Sequence, residues 1–166
     1  MKDLSELSGL IAKVDLQVRA KLDSLGTWAI VGGACRDTLL GVPFKDLDIV
    51  VWASMEDFIE VFKDVDSSPY LFSKSDKYAD LTCKFSKAVE YQIWVASPSF
   101  KVPNQWNFDY TINCFGVYHT SEVFCHPEAL AHLERRELHS AGGCLFSLQR
   151  EAYMINKGFK LCLEES

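Results

Sequence analysis

The sequence predicts a single α+β domain, a mixed sheet flanked by helices, and three observations lead to it. An amphipathic stripe of helical spacing opens the chain, several short β-branched and aromatic runs follow, and two helix-compatible stretches come toward the end. The 166 residues are 48% apolar and 24% charged, ordinary globular composition, and a chain of this length buries a sizeable core without disulfides or metal. Disorder, collagen and small knotted scaffolds are excluded.

Leu4, Leu7, Ile11, Val14, Val18, Leu22 and Leu25 recur at steps of three and four, so the first segment reads as one amphipathic helix, closed by Gly26. Residues 27–31, TWAIV, read as a strand running into Gly32-Gly33 and a short helix, ACRDTLLG, broken by Gly41 and Pro43. Asp46 to Trp52, DLDIVVW, is an apolar strand with two acids at its entrance, and Ser54 with Asp57 caps a helix through about Phe62. After a loop at Ser67, Ser68 and Pro69, residues 78–85 and 89–96 form a hairpin across Ser86-Lys87-Ala88. A loop with Pro98, Pro103 and Asn104 leads to WNFDYTINCFGVY, and residues 122–125 suggest a further strand. Pro127 stands at the first position of a helix over EALAHLERREL, and a last helix spans about 144–157, ended by Gly158. The core of the fold is expected over 27–118, with helices of 127–157 appended.

Lysine and arginine total 17 against 23 acids, a net charge of −6, which argues against a broad non-specific grip on nucleic acid. No apolar run reaches the ~18 residues of a membrane span, and the start lacks the pattern of a secretion signal. Cys35, Cys83, Cys114, Cys125, Cys144 and Cys162 lie far apart without a C-x-x-C pair, which argues against a zinc clamp and for free thiols in a reducing cytoplasm.

The chemistry-bearing residues cluster in the first third. Asp46 and Asp48, i and i+2 on a strand, leave the same face about 6.5–7 Å apart, so both carboxylates can converge on a hard cation such as Mg²⁺. Upstream, Gly32 and Gly33 leave the backbone unshielded at a helix start, where N–H groups can point at phosphate, and Arg36 follows one turn on. Strand, Gly-Gly, Arg-Asp, helix and strand with D-x-D together provide a phosphate site beside a metal site. Lys45 stays open between a triphosphate contact and a surface charge. His132 and His139 fall on one face of the predicted helix beside Arg135-Arg136, read as a solvated face because no acid or cysteine accompanies them at ligand spacing. Trp28, Trp52 and Trp94 are expected in the core.

VGGACRDTLLGVPFKDLDIVV, residues 31–51, resembles the signature of the class II tRNA nucleotidyltransferase and bacterial poly(A) polymerase head domain, within the polymerase-β-like nucleotidyltransferase superfamily. The resemblance continues through VEYQIWVA, where Glu90 matches a third acid, and DYTIN, with Asp109 and Asn113. It implies a polymerase-β-like nucleotidyltransferase fold in which Asp46 and Asp48 bind two Mg²⁺ ions and Glu90 is the third carboxylate. It implies also that Gly32, Gly33 and Arg36 hold an NTP triphosphate and that Asp109 and Asn113 line the nucleotide site. The implied reaction transfers NMP from an NTP to a hydroxyl, an RNA 3′ end, with release of pyrophosphate. A protein or small-molecule acceptor and a non-catalytic nucleotide-binding module are the alternatives. Two departures stand out: Asn107 and Phe108 replace a basic pair, and the acid-acid-x-x-Arg pattern of base selection has no counterpart, since Glu164 and Glu165 are followed by Ser166. The family's tRNA-holding neck, body and tail are also missing, so a complete CCA-adding enzyme is not expected; the stretch from 127 to 157 reads as a neck remnant.

Overall fold

The computed structural model describes residues 3–64, 71–73, 81–96, 109–141 and 148–162. The expected loops around Ser67 and Pro103, with Asn107, Phe108, Trp106, Cys144, Glu164 and Glu165, lie outside these residues. A seven-stranded mixed sheet has the order β3-β4-β5-β2-β1-β6-β7. Its strands are β1 Trp28–Val31, β2 Asp46–Trp52, β3 Leu71–Ser73, β4 Leu81–Ser86, β5 Glu90–Ala96, β6 Phe115–Tyr118 and β7 Val123–Cys125. Only β2 and β5 run parallel; the other neighbours are antiparallel. The helices are α1 Leu16–Leu25, α2 Gly33–Leu40, α3 Met55–Phe62, α4 Ala129–Glu134 and α5 Leu148–Asn156, and β8 Glu137–Leu138 pairs β9 Lys160–Leu161 in a separate two-stranded sheet. No helix among the described residues is long and apolar enough to cross a membrane.

Strand alternation divides the large sheet into two faces. Trp28 and Ile30 of β1, Leu47, Ile49 and Val51 of β2, and Tyr91, Ile93 and Val95 of β5 are buried in the main core with Leu7, Val18, Leu22, Leu39, Phe58 and Phe62. The intervening residues Ala29, Val31, Val50 and Ala96 form a smaller cluster flanked by the half-buried Trp52, Trp94, Tyr118 and Phe124. Trp28 is therefore core as expected, whereas Trp52 and Trp94 belong to this second face. Asp46 and Asp48, of the same parity as Val50, stand on the second face at one end of the sheet.

The opening helix is two elements, not one. Leu4–Lys13 winds as a 3₁₀ helix, whose three-residue turn puts Leu4, Leu7 and Leu10 on one side. The chain then extends at Val14, and Asp15 caps α1 by accepting from the N–H groups of Gln17 and Val18. The predicted stripe still faces the core: Leu7, Ile11, Val14, Val18 and Leu22 are buried. The helix after Pro127 is also shorter than expected. It starts beyond Glu128 and stops at Glu134, because the chain turns through Arg136 in a left-handed conformation, φ 57°, into β8. The strands at 28–31, 46–52 and 123–125 and the Ser54-capped α3, where Ser54 accepts from the Asp57 N–H, match the sequence reading. Gly41 closes α2 in the left-handed region, as its sequence position requires.

Gly116 of β6 pairs with Val31 on one side and Phe124 on the other, and a Cβ there would overlap the Phe124 ring. That ring packs 4.7 Å from Tyr118. Gly116→Ala is expected to displace Phe124 and cost about 1–3 kcal/mol of stability, measured by urea denaturation; an unchanged midpoint would show that the ring moves aside freely.

Candidate active site

Register places the site. Val31 pairs directly with Asp48, so the chain leaving β1 enters Gly32 and Gly33 right beside the second acid of β2. Gly32 takes φ 83°, a conformation costly for residues with a Cβ, and its N–H donates to the Phe115 carbonyl at 3.0 Å. Gly32 thus anchors the turn to the sheet. The first N–H groups of α2, on Gly33 and Ala34, have no intrahelical acceptor, and both residues line the adjacent cavity.

That cavity, about 390 Å³, lies between the start of α2, the loop before β2 and α5. Four cations, Arg36, Lys45, Arg150 and Lys157, face three carboxylates, Asp37, Asp46 and Asp48, across its walls. The paired acids therefore share one cavity with Gly33 and Arg36, as the sequence predicts. Glu90 stands next to them: β2 and β5 align Asp46 with Glu90 and Asp48 with Gln92. A hydrogen bond with Asp46, followed by the charge of Asp46, holds the exposed Glu90 carboxyl above its usual range. Three carboxyl groups thus gather at the ends of β2 and β5.

Asp48 carries an electrostatic cost. Burial first, and then the charge of Asp46, push its carboxyl up to about 6, against the opposing pull of Arg150, Lys84 and Arg36. Cations on three elements are aimed at it and do not fully offset the loss of water.

Arg36, expected at the phosphate, is 2% exposed and forms a buried pair with Asp37, Nε to Oδ1 at 2.9 Å. Its Nη1 donates to Asn113 Oδ1 at 2.5 Å. Its Nη2 makes no hydrogen bond within the described residues and lies 3.3 Å from the position a Gly33 Cβ would take. The absence of a Gly33 side chain leaves this nitrogen room beside the first helical turn.

Asp109 and Asn113 stand behind the cavity wall and are not among its lining residues. Asn113 Nδ2 donates to Asp109 Oδ1 at 2.8 Å, and Asp109 Oδ2 accepts from Arg150 Nε at 2.9 Å. A side-chain relay follows, Arg150 to Asp109 to Asn113 to Arg36 to Asp37, and Lys157 Nζ closes on Asp37 Oδ2 at 3.5 Å. Asn113 must donate at one end and accept at the other, which a carboxylate could not do between Asp109 and Arg36.

Sequence reasoning missed the contribution of α5. Arg150, Tyr153 and Lys157 line the cavity, with Arg150 Cζ 5.2 Å and Lys157 Nζ 4.9 Å from the Tyr153 ring centre. Their spacing of i, i+3 and i+7 was the available signal, since it puts three such side chains on one helical face.

Residues 28–107 match the family model described as the Poly A polymerase head domain. The match spans 80 of the chain's 166 residues, from β1 through β5 and beyond. A CCA-adding enzyme of Streptococcus suis is 24% identical over 87% of this chain and 38% of its own length. Among solved structures, a Thermotoga maritima CCA-adding enzyme complexed with tRNA superposes with a TM-score of 0.62 at 22% identity, covering 97% of this chain and 43% of that one. A Bacillus stearothermophilus CCA-adding enzyme in complex with CTP gives 0.58 at 22%, covering 98% and 42%. The head-domain fold is thereby shared, and the chain spans less than half the length of these relatives.

Because Asp48 is raised from 3.8 to about 6 on folding, it costs stability progressively as pH rises from near 4 to near 6, and fully above that. Asp48→Asn should therefore stabilise the protein by about 1–3 kcal/mol at pH 7.5, roughly twice the gain at pH 5. Urea denaturation at the two pH values checks this, and an equal gain at both would contradict it.

Proposed function

We propose that this chain is a Mg²⁺-dependent nucleotidyltransferase that binds an NTP in the cavity and transfers NMP to a hydroxyl, with an RNA 3′ end as acceptor, releasing pyrophosphate. The observation that carries this reading is Asp46 and Asp48 on one sheet face beside the Gly33 and Ala34 N–H groups, opposite Arg36, Arg150 and Lys157. A protein that only bound partners would have no use for two carboxylates held together at one cavity. The head-domain match supports the same reading, as do similar structures described as complexes with ATP, with CTP and with tRNA.

The donor set fits the metal. Asp46, Asp48 and Glu90 offer only oxygen, and the upward displacement of Asp48 by burial and by Asp46 marks a place where positive charge is favoured. Ions held there would neutralise the phosphates and increase the acidity of the acceptor hydroxyl. The chain's own residues do the positioning. Gly33 and Ala34 N–H groups and Arg36 Nη2 donate to phosphate oxygens, Arg150 and Lys157 hold the distal phosphates, and Lys45 guards the mouth beside Asp46. Asp109 and Asn113 then act on the nucleotide through Arg36 and Arg150, whose orientation they fix. The acceptor oxygen attacks the α-phosphorus, the bond to pyrophosphate breaks, and the hydroxyl proton passes to solvent.

The segment likened to a neck remnant supplies Arg150, Tyr153 and Lys157 to the same site, so we treat 1–166 as one functional unit. The free thiols, three of them buried, fit a cytoplasmic setting. The net charge of −6 favours an acceptor gripped locally over one held along an extended basic surface, which keeps a protein acceptor as the second reading.

Incubating the full chain with Mg²⁺ and each α-labelled NTP, against tRNA, total RNA and a lysate, tests the proposal. Label should move to RNA, and the Asp46→Asn, Asp48→Asn double variant should transfer at least ~100-fold more slowly. Label on protein alone would select the second reading, and no label under any condition would overturn the transferase.

Arg150→Ala removes one cavity cation and the partner of Asp109. It should raise the KM for NTP about tenfold or more while lowering kcat less, because the lost contact serves the substrate as well as the transition state. Steady-state kinetics across NTP concentrations decides this; an unaffected KM would remove Arg150 from the phosphate site.

A further inference from the structure

Away from the cavity, Glu137, His139 and Cys162 meet at the small sheet. β8 and β9 pair Glu137 with Lys160 and Leu138 with Leu161, and the Cys162 N–H donates to the Leu138 carbonyl at 3.1 Å. This pairing brings a cysteine from the C-terminal end of the described chain against an acid and a histidine more than twenty residues earlier. Glu137 Oε1 lies 3.2 Å from His139 Nε2, and a carboxylate oxygen, a ring nitrogen and Cys162 Sγ all fall within 4.8 Å of one another. In a tetrahedral site with bonds near 2.0–2.3 Å, neighbouring donors stand about 3.3–3.6 Å apart, within reach of small side-chain rotations from this arrangement.

We propose that Glu137, His139 and Cys162 form a three-donor site for a borderline-soft transition ion of the Zn²⁺ type, leaving one coordination position open. The sequence argued against a zinc clamp because no two cysteines stand at ligand spacing, and this site needs none: it takes one sulfur, one nitrogen and one oxygen from two strands. Helical placement of His132 and His139 also hid it. The chain leaves the helix at Glu134, and His139 folds back to stack on His132 with ring centres 3.7 Å apart and planes 17° from parallel. His132 in turn bonds through Nδ1 to the Thr111 hydroxyl at 2.7 Å, so the stack orients the His139 ring toward Glu137.

The donor chemistry sorts this site from the Asp46 and Asp48 pair. A thiolate and an imidazole favour Zn²⁺ over Mg²⁺ strongly, whereas the all-oxygen group near the cavity suits Mg²⁺. Charge also balances: a thiolate, a carboxylate and a neutral imidazole cancel a dication, with the Cys162 thiol proton released to solvent as the sulfur–metal bond forms. Arg135 Nη1 approaches Glu137 at 3.6 Å, and its side chain, 63% exposed, can withdraw into water. An ion here would staple β9, which follows α5, onto β8, which follows α4. Two-residue strands hold weakly alone. The bound ion would thereby fix the segment that presents Arg150, Tyr153 and Lys157 to the cavity.

The test uses the full chain stripped with chelator and titrated with Co²⁺, then Zn²⁺, without nucleotide, so its result does not depend on the transferase. A thiolate-to-metal charge-transfer band should appear and saturate at one Co²⁺ per chain, and be displaced by Zn²⁺ but not by millimolar Mg²⁺. Cys162→Ser should lose the band, and His139→Gln should weaken Co²⁺ binding at least tenfold. Alkylation of Cys162 in the unmodified chain, read by mass spectrometry of its peptide, should slow at least tenfold with Zn²⁺ and requires no variant to fold. Absence of the band from the folded wild type, a band undiminished in Cys162→Ser, or an alkylation rate indifferent to Zn²⁺ would each overturn the site in favour of a hydrogen-bonded trio.

Discussion

The pairing of Val31 with Asp48 is the constraint on which the site depends. Strand parity fixes which residues of β2 face the core and which face the cavity, and a slip of one residue would bury both acids and expose Leu47 and Ile49. The apolar set Leu47, Ile49 and Val51, fully buried against the helices, therefore holds the acids in place as firmly as any contact the acids make themselves. Once that register is set, the first residue after β1 must lie beside Asp48. A backbone that turns there without a side chain in the way is what Gly32 and Gly33 provide.

The second organising feature is the relay through Asn113. It links the 3₁₀ turn Thr111–Asn113 before β6, the first turn of α2 and the far helix α5 by hydrogen bonds between charged and neutral groups. Arg36, nearly inaccessible, would be costly as an isolated charge, and Asp37 and Asn113 make its burial tolerable. The same contacts leave its Nη2 beside Gly33, so the groups that satisfy the cation also aim it. Asp109 plays the matching part for Arg150. Residues that a motif comparison assigns to nucleotide contact can thus act one layer back, by holding the cations that face the cavity.

The sequence carried the sheet and the acids well because their signals are local. Residues 46–52 show strand alternation with acids at the right parity, Ser54 and Asp57 show a cap, and Gly41 shows a stop. What it did not carry depends on distant packing. The break at Val14 and Asp15 follows from a cap and from the Tyr91 hydroxyl, which accepts the Asp15 N–H at 2.8 Å from seventy-six residues away. The end of α4 at Glu134 comes with the left-handed turn at Arg136 that leads into β8, whose partner β9 lies far along the chain. The role of α5 was invisible for the same reason: its spacing shows a polar helical face, but only the tertiary fold shows that the face meets Asp37, Asp46 and Asp48.

A net charge of −6 is compatible with the proposed triphosphate site, because charge acts at different ranges. At about 5 Å and an effective dielectric near 20, one unit charge attracts another by roughly 3 kcal/mol, so the charges lining the cavity, four cations and three carboxylates, govern what binds there. Acids elsewhere on the surface, beyond a screening length of ~8 Å at physiological salt, contribute little to that local balance. They matter instead to approach, where a long polyanion would sample the whole acidic surface before reaching the mouth. A compact nucleotide would sample mainly the cavity. On the proposed reading, nucleotide capture and acceptor capture are therefore separate electrostatic problems, and the cavity charges bear on the first of them.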